Sequence, residues 1–247
     1  MAAPTARAGL REPLLAFAAA TGLAALLAAI GVAVPFVRDN LHAGIALLFI
    51  YMPAWAARRA GREFDYREAG LRADPVGLNL AVVGVLAAIA LPAFVVGFFL
   101  FYGRVCTIPS SAATRAFGAL CRHWLGRAGG ELRLPPRFAV IALSQLAVVA
   151  IPEELFFRGY LMERLERVWP PRHRLLGAPV GAALIVSSAL FALGHVVVVP
   201  NPQRLAVFFP ALVFGWMRAR TGSIAAGATF HALCNITSDI LHTSYFG

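Results

Sequence analysis

Two adjacent carboxylates, Glu153 and Glu154, lie inside an apolar stretch and are followed four residues later by Arg158. An ionisable side chain at the centre of a membrane helix costs roughly 2.5–3.5 kcal/mol on insertion scales, so three in one apolar segment mark a functional site by default. The spacing of four predicts that Glu154 and Arg158 meet as an ion pair on one helical face. Glu153, about 100° round the axis, is free for other work. A purely structural ion pair accounts for Glu154 and Arg158 but leaves Glu153 idle.

Two later apolar segments carry polar groups of their own, in Phe191-Ala-Leu-Gly-His195 and in His231-Ala-Leu-Cys-Asn235. A single buried histidine is more often a packing residue than a catalyst. Two histidines, an asparagine and a carboxylate pair in successive apolar segments suit a shared chemical task. Amide hydrolysis needs a base, an ordered water and donors to the oxyanion, and these residues supply all three. At about 1.5 Å of rise per residue, Glu153 and His231 fall roughly 16 and 14 Å from the arginine-rich ends of their segments, and His195 roughly 26 Å, depths that allow one cavity. His42, His123, His173 and His242 fall at segment ends or in loops, where solvated or interfacial positions are expected.

The elements that must position this set are read from hydropathy. Of 247 residues, 60% are hydrophobic and 14% charged, which predicts an all-α, polytopic transmembrane bundle; Glu153, His195 and His231 fall inside its apolar segments, so an active site built from them would lie within the bilayer. About seven segments are expected, near Pro13–Phe36, Leu41–Ala57, Val76–Tyr102, Phe138–Met162, Ala178–Val199, Leu205–Met217 and Gly222–His242. The second and sixth are short and need a thinned bilayer or shielding by neighbours. The first is too long for a signal-peptide core and reads as a retained span. Residues 1–137 read as N-terminal membrane helices with a basic, partly amphipathic loop at 103–137, and 138–247 as the catalytic helical core. Alternation of apolar and polar residues, as in barrel strands, is absent.

Every basic side chain apart from histidine is arginine, and the net charge is +10. The arginines cluster in short loops, so topology and anionic lipid explain them better than nucleic acid does. If every segment crosses, one side receives Arg7, Arg11, the loop with Arg58 to Arg72, the loop with Arg164 to Arg174, and Arg218 with Arg220; the short loops opposite hold only Arg38 and Arg204. That predicts a cytoplasmic N-terminus and an external C-terminus; the lysine-free, Ala- and Gly-rich composition suggests a bacterial source and so a bacterial inner membrane. The 103–137 loop runs against this pattern, carrying six arginines to the outer side. In it Phe117, Leu120, Cys121, Trp124 and Leu125 fall at the spacing of an interfacial helix. Cys106 and Cys121 are expected as free thiols, with a disulfide as the alternative on an oxidising face. Cys234 is expected to be a packing residue.

The order Glu-Glu-x-x-x-Arg, Phe-x-x-x-His and His-x-x-x-Asn, each in its own apolar segment, resembles the CAAX protease and bacteriocin-processing enzyme (CPBP, or Abi) family of intramembrane endopeptidases. Arg158-Gly159-Tyr160-Leu161 and Arg220-Thr221-Gly222-Ser223-Ile224 extend the resemblance, which covers roughly Phe138 to His242. It implies a glutamate-dependent peptidase: Glu153 as general base, His195 holding the water, Glu154 and Arg158 supporting by charge pairing, and His231 and Asn235 as oxyanion donors. No cofactor is expected. Zinc is a minor alternative, because two histidines and a glutamate can hold a catalytic zinc, although the chain has no His-Glu-x-x-His motif. The substrate classes implied are prenylated C-terminal peptides, bacteriocin-type leaders, and C-terminal sorting tails as in the myxosortase-like branch. The expected partners are the lipid bilayer and a membrane-anchored protein or peptide cleaved near its hydrophobic tail, with no nucleic acid. A transporter using a Glu/Arg/His relay and an immunity-type binding protein are the rival classes.

Overall fold

The computed structural model describes residues 6–107, 121, 123–126 and 131–246. The described chain is almost wholly helical: α1 (Ala6–Ala33), the short α2 (Pro35–Asp39), α3 (Leu41–Arg59), α4 (Val76–Val105), α5 (Phe138–Val168), α6 (Ala182–Val198), α7 (Phe208–Thr221) and α8 (Ala225–Tyr245). The seven longer helices coincide with the seven apolar segments. Four of them, Gly9–Ala33 within α1, α3, α4 and α5, are long and apolar enough to cross a membrane unaided. The most apolar window, in α4, has a mean hydropathy of 2.6 and is only 6% buried, so its side chains face outward as a lipid-facing helix requires. The start of the fifth segment is not helical. Ala178–Val180 instead forms strand β2, antiparallel to β1 (His173–Leu175), in a small hairpin between α5 and α6.

The helices run alternately up and down. At the basic end, Glu12 of α1 pairs with Arg62 beyond α3 and with Arg164 near the end of α5. At the same end Arg72, ahead of α4, donates to the Gly222 carbonyl at the end of α7, and Trp216 donates to the Leu175 carbonyl of the hairpin. At the opposite end, the Leu125 amide donates to the Tyr245 carbonyl at 3.0 Å and the Arg133 amide to Ser244 Oγ at 2.8 Å. The aromatic rings of Phe98 and Tyr102 pack there against Trp124, Tyr245 and Phe246.

Near that second end Cys106 is disulfide-bonded to Cys121, which corrects the expectation of two free thiols. The end of α4 brings Cys106 within 5.2 Å (Cα–Cα) of Cys121, a proximity that a 15-residue separation does not disclose. The interfacial helix expected around Phe117 and Leu120 falls mostly outside the described residues.

Helix α5 is the centre of the molecule. Pro152 lacks the amide that would close a regular turn, and the helix accommodates it with wide π turns at Gln145–Ala150 and Leu155–Met162 on either side. All eight residues of the second wide stretch are buried. Phe156, Phe157, Tyr160 and Leu161 form one cluster with Phe17 and Ala20 of α1, Phe49 and Met52 of α3, Phe191 of α6 and Ala211 of α7. Within a bilayer close van der Waals packing, not exclusion of water, holds helices together, and the packing of these rings fixes the rotation of α5 and with it the directions of Glu153 and Glu154.

The 60–75 segment locks the start of α8. Gly70, at φ 98°, presents its carbonyl to the Ile224 amide at 2.9 Å, and Ser223 Oγ donates to the Arg72 carbonyl. Gly222, at φ 72°, ends α7 in the left-handed conformation that glycine adopts without steric cost. The Thr221-Gly222-Ser223 motif is therefore the turn that aims α8 at α5.

Candidate active site

The innermost part of the site is an ion-paired cluster sealed from solvent. Glu154 is fully buried, and its Oε1 accepts from Arg158 Nη1 at 2.8 Å and from His231 Nδ1 at 3.0 Å. Arg158 Nη2 donates to the Ala211 carbonyl at 3.1 Å. The guanidinium carbon lies 4.4 Å from the Phe191 ring centre and 5.4 Å from that of Phe214, a cation–π enclosure that compensates part of its desolvation. His231 stacks on Phe214 with ring centres 4.7 Å apart. Gly227 makes room for the carboxylate, since a Cβ there would lie 3.3 Å from Glu154 Oε2.

Glu153 points elsewhere, as its place on the helix predicts. It lines a cavity of about 510 Å³ together with His195, His231 and Asn235. Its Oε2 is buried, sits 3.8 Å from His231 Nε2 and has no hydrogen-bond partner among the described residues. His195 Nδ1 lies 3.0 Å from the Phe191 carbonyl one turn back. A carbonyl only accepts, so Nδ1 carries the proton and Nε2 keeps its lone pair. By the same argument His231 Nδ1 donates to the Glu154 carboxylate and turns Nε2 toward Glu153. Of the six residues singled out by sequence, four line the cavity, while Glu154 and Arg158 stand behind it and hold His231.

Sequence reasoning missed Gln145 and Asp239. Asn235 Nδ2 donates to Gln145 Oε1 at 2.9 Å, and Gln145 Nε2 donates to Asp239 Oδ2 at 2.8 Å; all three line the cavity. The signal was present in the four-residue period of His231, Asn235 and Asp239, which places the three on one face of α8. Cys234 packs against the cluster of Phe214 and Phe230, as expected, and also lines the cavity. Among the described residues no group of three or more His, Cys, Asp or Glu side chains is placed to hold a metal ion.

Residues 135–237 match the family model described as Rce1-like, type II CAAX prenyl endopeptidase Rce1-like. Over this segment the chain is similar to the CPBP family. The matched segment contains all six site residues and Gln145, and stops two residues short of Asp239. The similarity supports a protease built into the membrane, with a protein substrate. No curated protein and no solved structure matches the chain.

Proposed function

We propose that the protein is a glutamate-dependent intramembrane endopeptidase that cleaves a membrane-anchored protein near its C-terminal hydrophobic tail. The observation that carries this reading is Glu153 Oε2, buried without a hydrogen-bond partner among the described residues at the wall of a cavity that also holds two histidines and an amide. Glu153 takes a proton from water as the oxygen attacks the peptide carbonyl, and later gives that proton to the departing amine. His195 accepts the water's other hydrogen at its bare Nε2 and so fixes the direction of attack. Asn235, whose amide is oriented by Gln145, donates to the oxyanion. His231 Nε2 adds a second donor when the ring holds protons on both nitrogens, and Glu154 with Arg158 keeps that ring in place.

The description of the family model favours a second substrate reading, a prenylated C-terminal peptide. Phe157, Phe191, Phe214 and Val198 give the cavity an apolar wall that suits either a hydrophobic tail or a prenyl chain. Comparing protein C-termini in cells carrying the wild type or Glu153→Gln tests both. Retained hydrophobic tails in the variant support sorting-tail removal, and retained C-terminal peptides next to a prenylated cysteine support the second reading. Identical termini in the two strains would sink the peptidase assignment.

A further inference from the structure

The cavity and the disulfide lie toward the same end of the bundle. From Glu153 the cavity lining runs through Gln145 near the start of α5, Leu41 and His42 at the start of α3, Val199 and Arg204 just beyond α6, and Asp239 toward the end of α8. His42, Val199 and Arg204 are exposed and form its rim. In the up-down arrangement these chain positions fall at the end where α4 finishes, Cys106 is bridged to Cys121, and Arg133 and Leu125 bond the last turn of α8. Toward the other end the site is closed by Glu154, Arg158, Ala211 and Phe214, all buried.

Two independent observations assign a compartment to each end. Disulfides persist in oxidising compartments and are rare where thiol reductants are maintained. The closed end gathers the charge pattern of a cytoplasmic face: the short connections that meet there hold Arg58, Arg59, Arg62, Arg67, Arg72, Arg164, Arg167, Arg172, Arg174, Arg218 and Arg220. Arginine counts alone are weakened by the six in the 103–137 loop, and the disulfide decides the matter.

We infer that the catalytic cavity opens on the extracytoplasmic side of the membrane, and that its substrates are exported chains whose scissile bond has already been carried across. This rests on the peptidase reading for the word substrate, while the orientation stands by itself. A substrate that reaches the membrane only from the cytoplasm would meet the sealed Glu154–Arg158 end.

The test is thiol mapping on the full-length protein in intact cells. Free thiols are blocked with a membrane-impermeant maleimide, an impermeant reductant is added, and an impermeant polyethylene glycol maleimide reports newly opened cysteines as gel shifts. The inference expects two added adducts, absent in Cys106→Ser/Cys121→Ser, and labelling of an Arg174→Cys probe in the hairpin only after lysis. The probe needs no change to the disulfide, so it remains decisive if the double variant fails to fold. Cysteines 106 and 121 reactive only after lysis, or Arg174→Cys labelled in intact cells, would overturn the orientation. Neither readout involves cleavage, so that failure leaves the peptidase reading standing. Conversely, a set of Glu153→Gln-dependent termini confined to cytoplasmic proteins would overturn the substrate class.

Discussion

His231 Nδ1 lies 3.0 Å from Glu154 Oε1, a contact across 77 residues that ties α8 to the middle of α5. Because that carboxylate oxygen also binds Arg158 at 2.8 Å, the imidazole cannot turn without breaking a sealed network. The bond therefore sets where Nε2 points, 3.8 Å from Glu153 at the cavity wall. In the proposed mechanism the buried pair acts through His231 and stands behind the cavity wall.

Glu153→Gln should lower the cleavage rate by about 10²- to 10⁴-fold, the usual contribution of a general base. Glu153 accepts no hydrogen bond from a described neighbour, so the thermal midpoint of the purified protein in detergent should stay near the wild-type value. Cleavage at the wild-type rate would remove Glu153 as the base.

Arg158→Ala should destabilise the protein by about 3–5 kcal/mol, because it removes the guanidinium partner of the fully buried Glu154 and leaves that carboxylate only its bond to His231. The double variant Arg158→Ala/Glu154→Gln should regain part of that loss. Denaturant unfolding in mixed micelles measures both. A double variant less stable than Arg158→Ala would show that the carboxylate's charge is not what destabilises the single variant.

Asn235→Ala should cost about 10²- to 10³-fold in kcat, as removal of an oxyanion donor does. Gln145→Ala should cost less, since it frees the Asn235 amide without removing it. Its effect should largely vanish in the Asn235→Ala background, and a double-mutant cycle on kcat reads this coupling. Additive losses would mean that Gln145 does not act through Asn235.

Gly159→Ala should destabilise by about 1–3 kcal/mol through overpacking, because its Cβ would lie 2.7 Å from the Ala69 carbonyl oxygen. Gly84→Ala in α4 meets nothing within 4 Å and should be neutral or raise stability by up to about 1 kcal/mol through helix propensity. Thermal melts of the two variants separate close approach from a generic glycine effect.

The Glu154–Arg158 pair was legible in the sequence because four residues of helix fix which side chains share a face. The divergence of Glu153 from Glu154 was legible for the same reason. The Cys106–Cys121 bond was not, since nothing local states that the chain beyond α4 returns to its end. Gln145 gave no signal as a lone amide in an apolar run; only its position opposite Asn235 and Asp239 shows its use.

The sequence by itself determined that the chain is a helical membrane protein with about seven apolar segments, where those segments lie, and which polar groups they hold. Those are properties of single segments against a bilayer: length, hydropathy and helical period. The tertiary structure decided which of these groups meet, that Glu154 and Arg158 stand behind the cavity while Glu153 lines it, and that His231 is held from one side by Glu154. It also decided toward which end the cavity runs. These depend on how far each helix is rotated and how closely two helices approach. Contacts at Gly159 and Gly227 and the packing around Phe156 and Phe157 set both, and they form only when α1, α3, α5, α6, α7 and α8 are assembled.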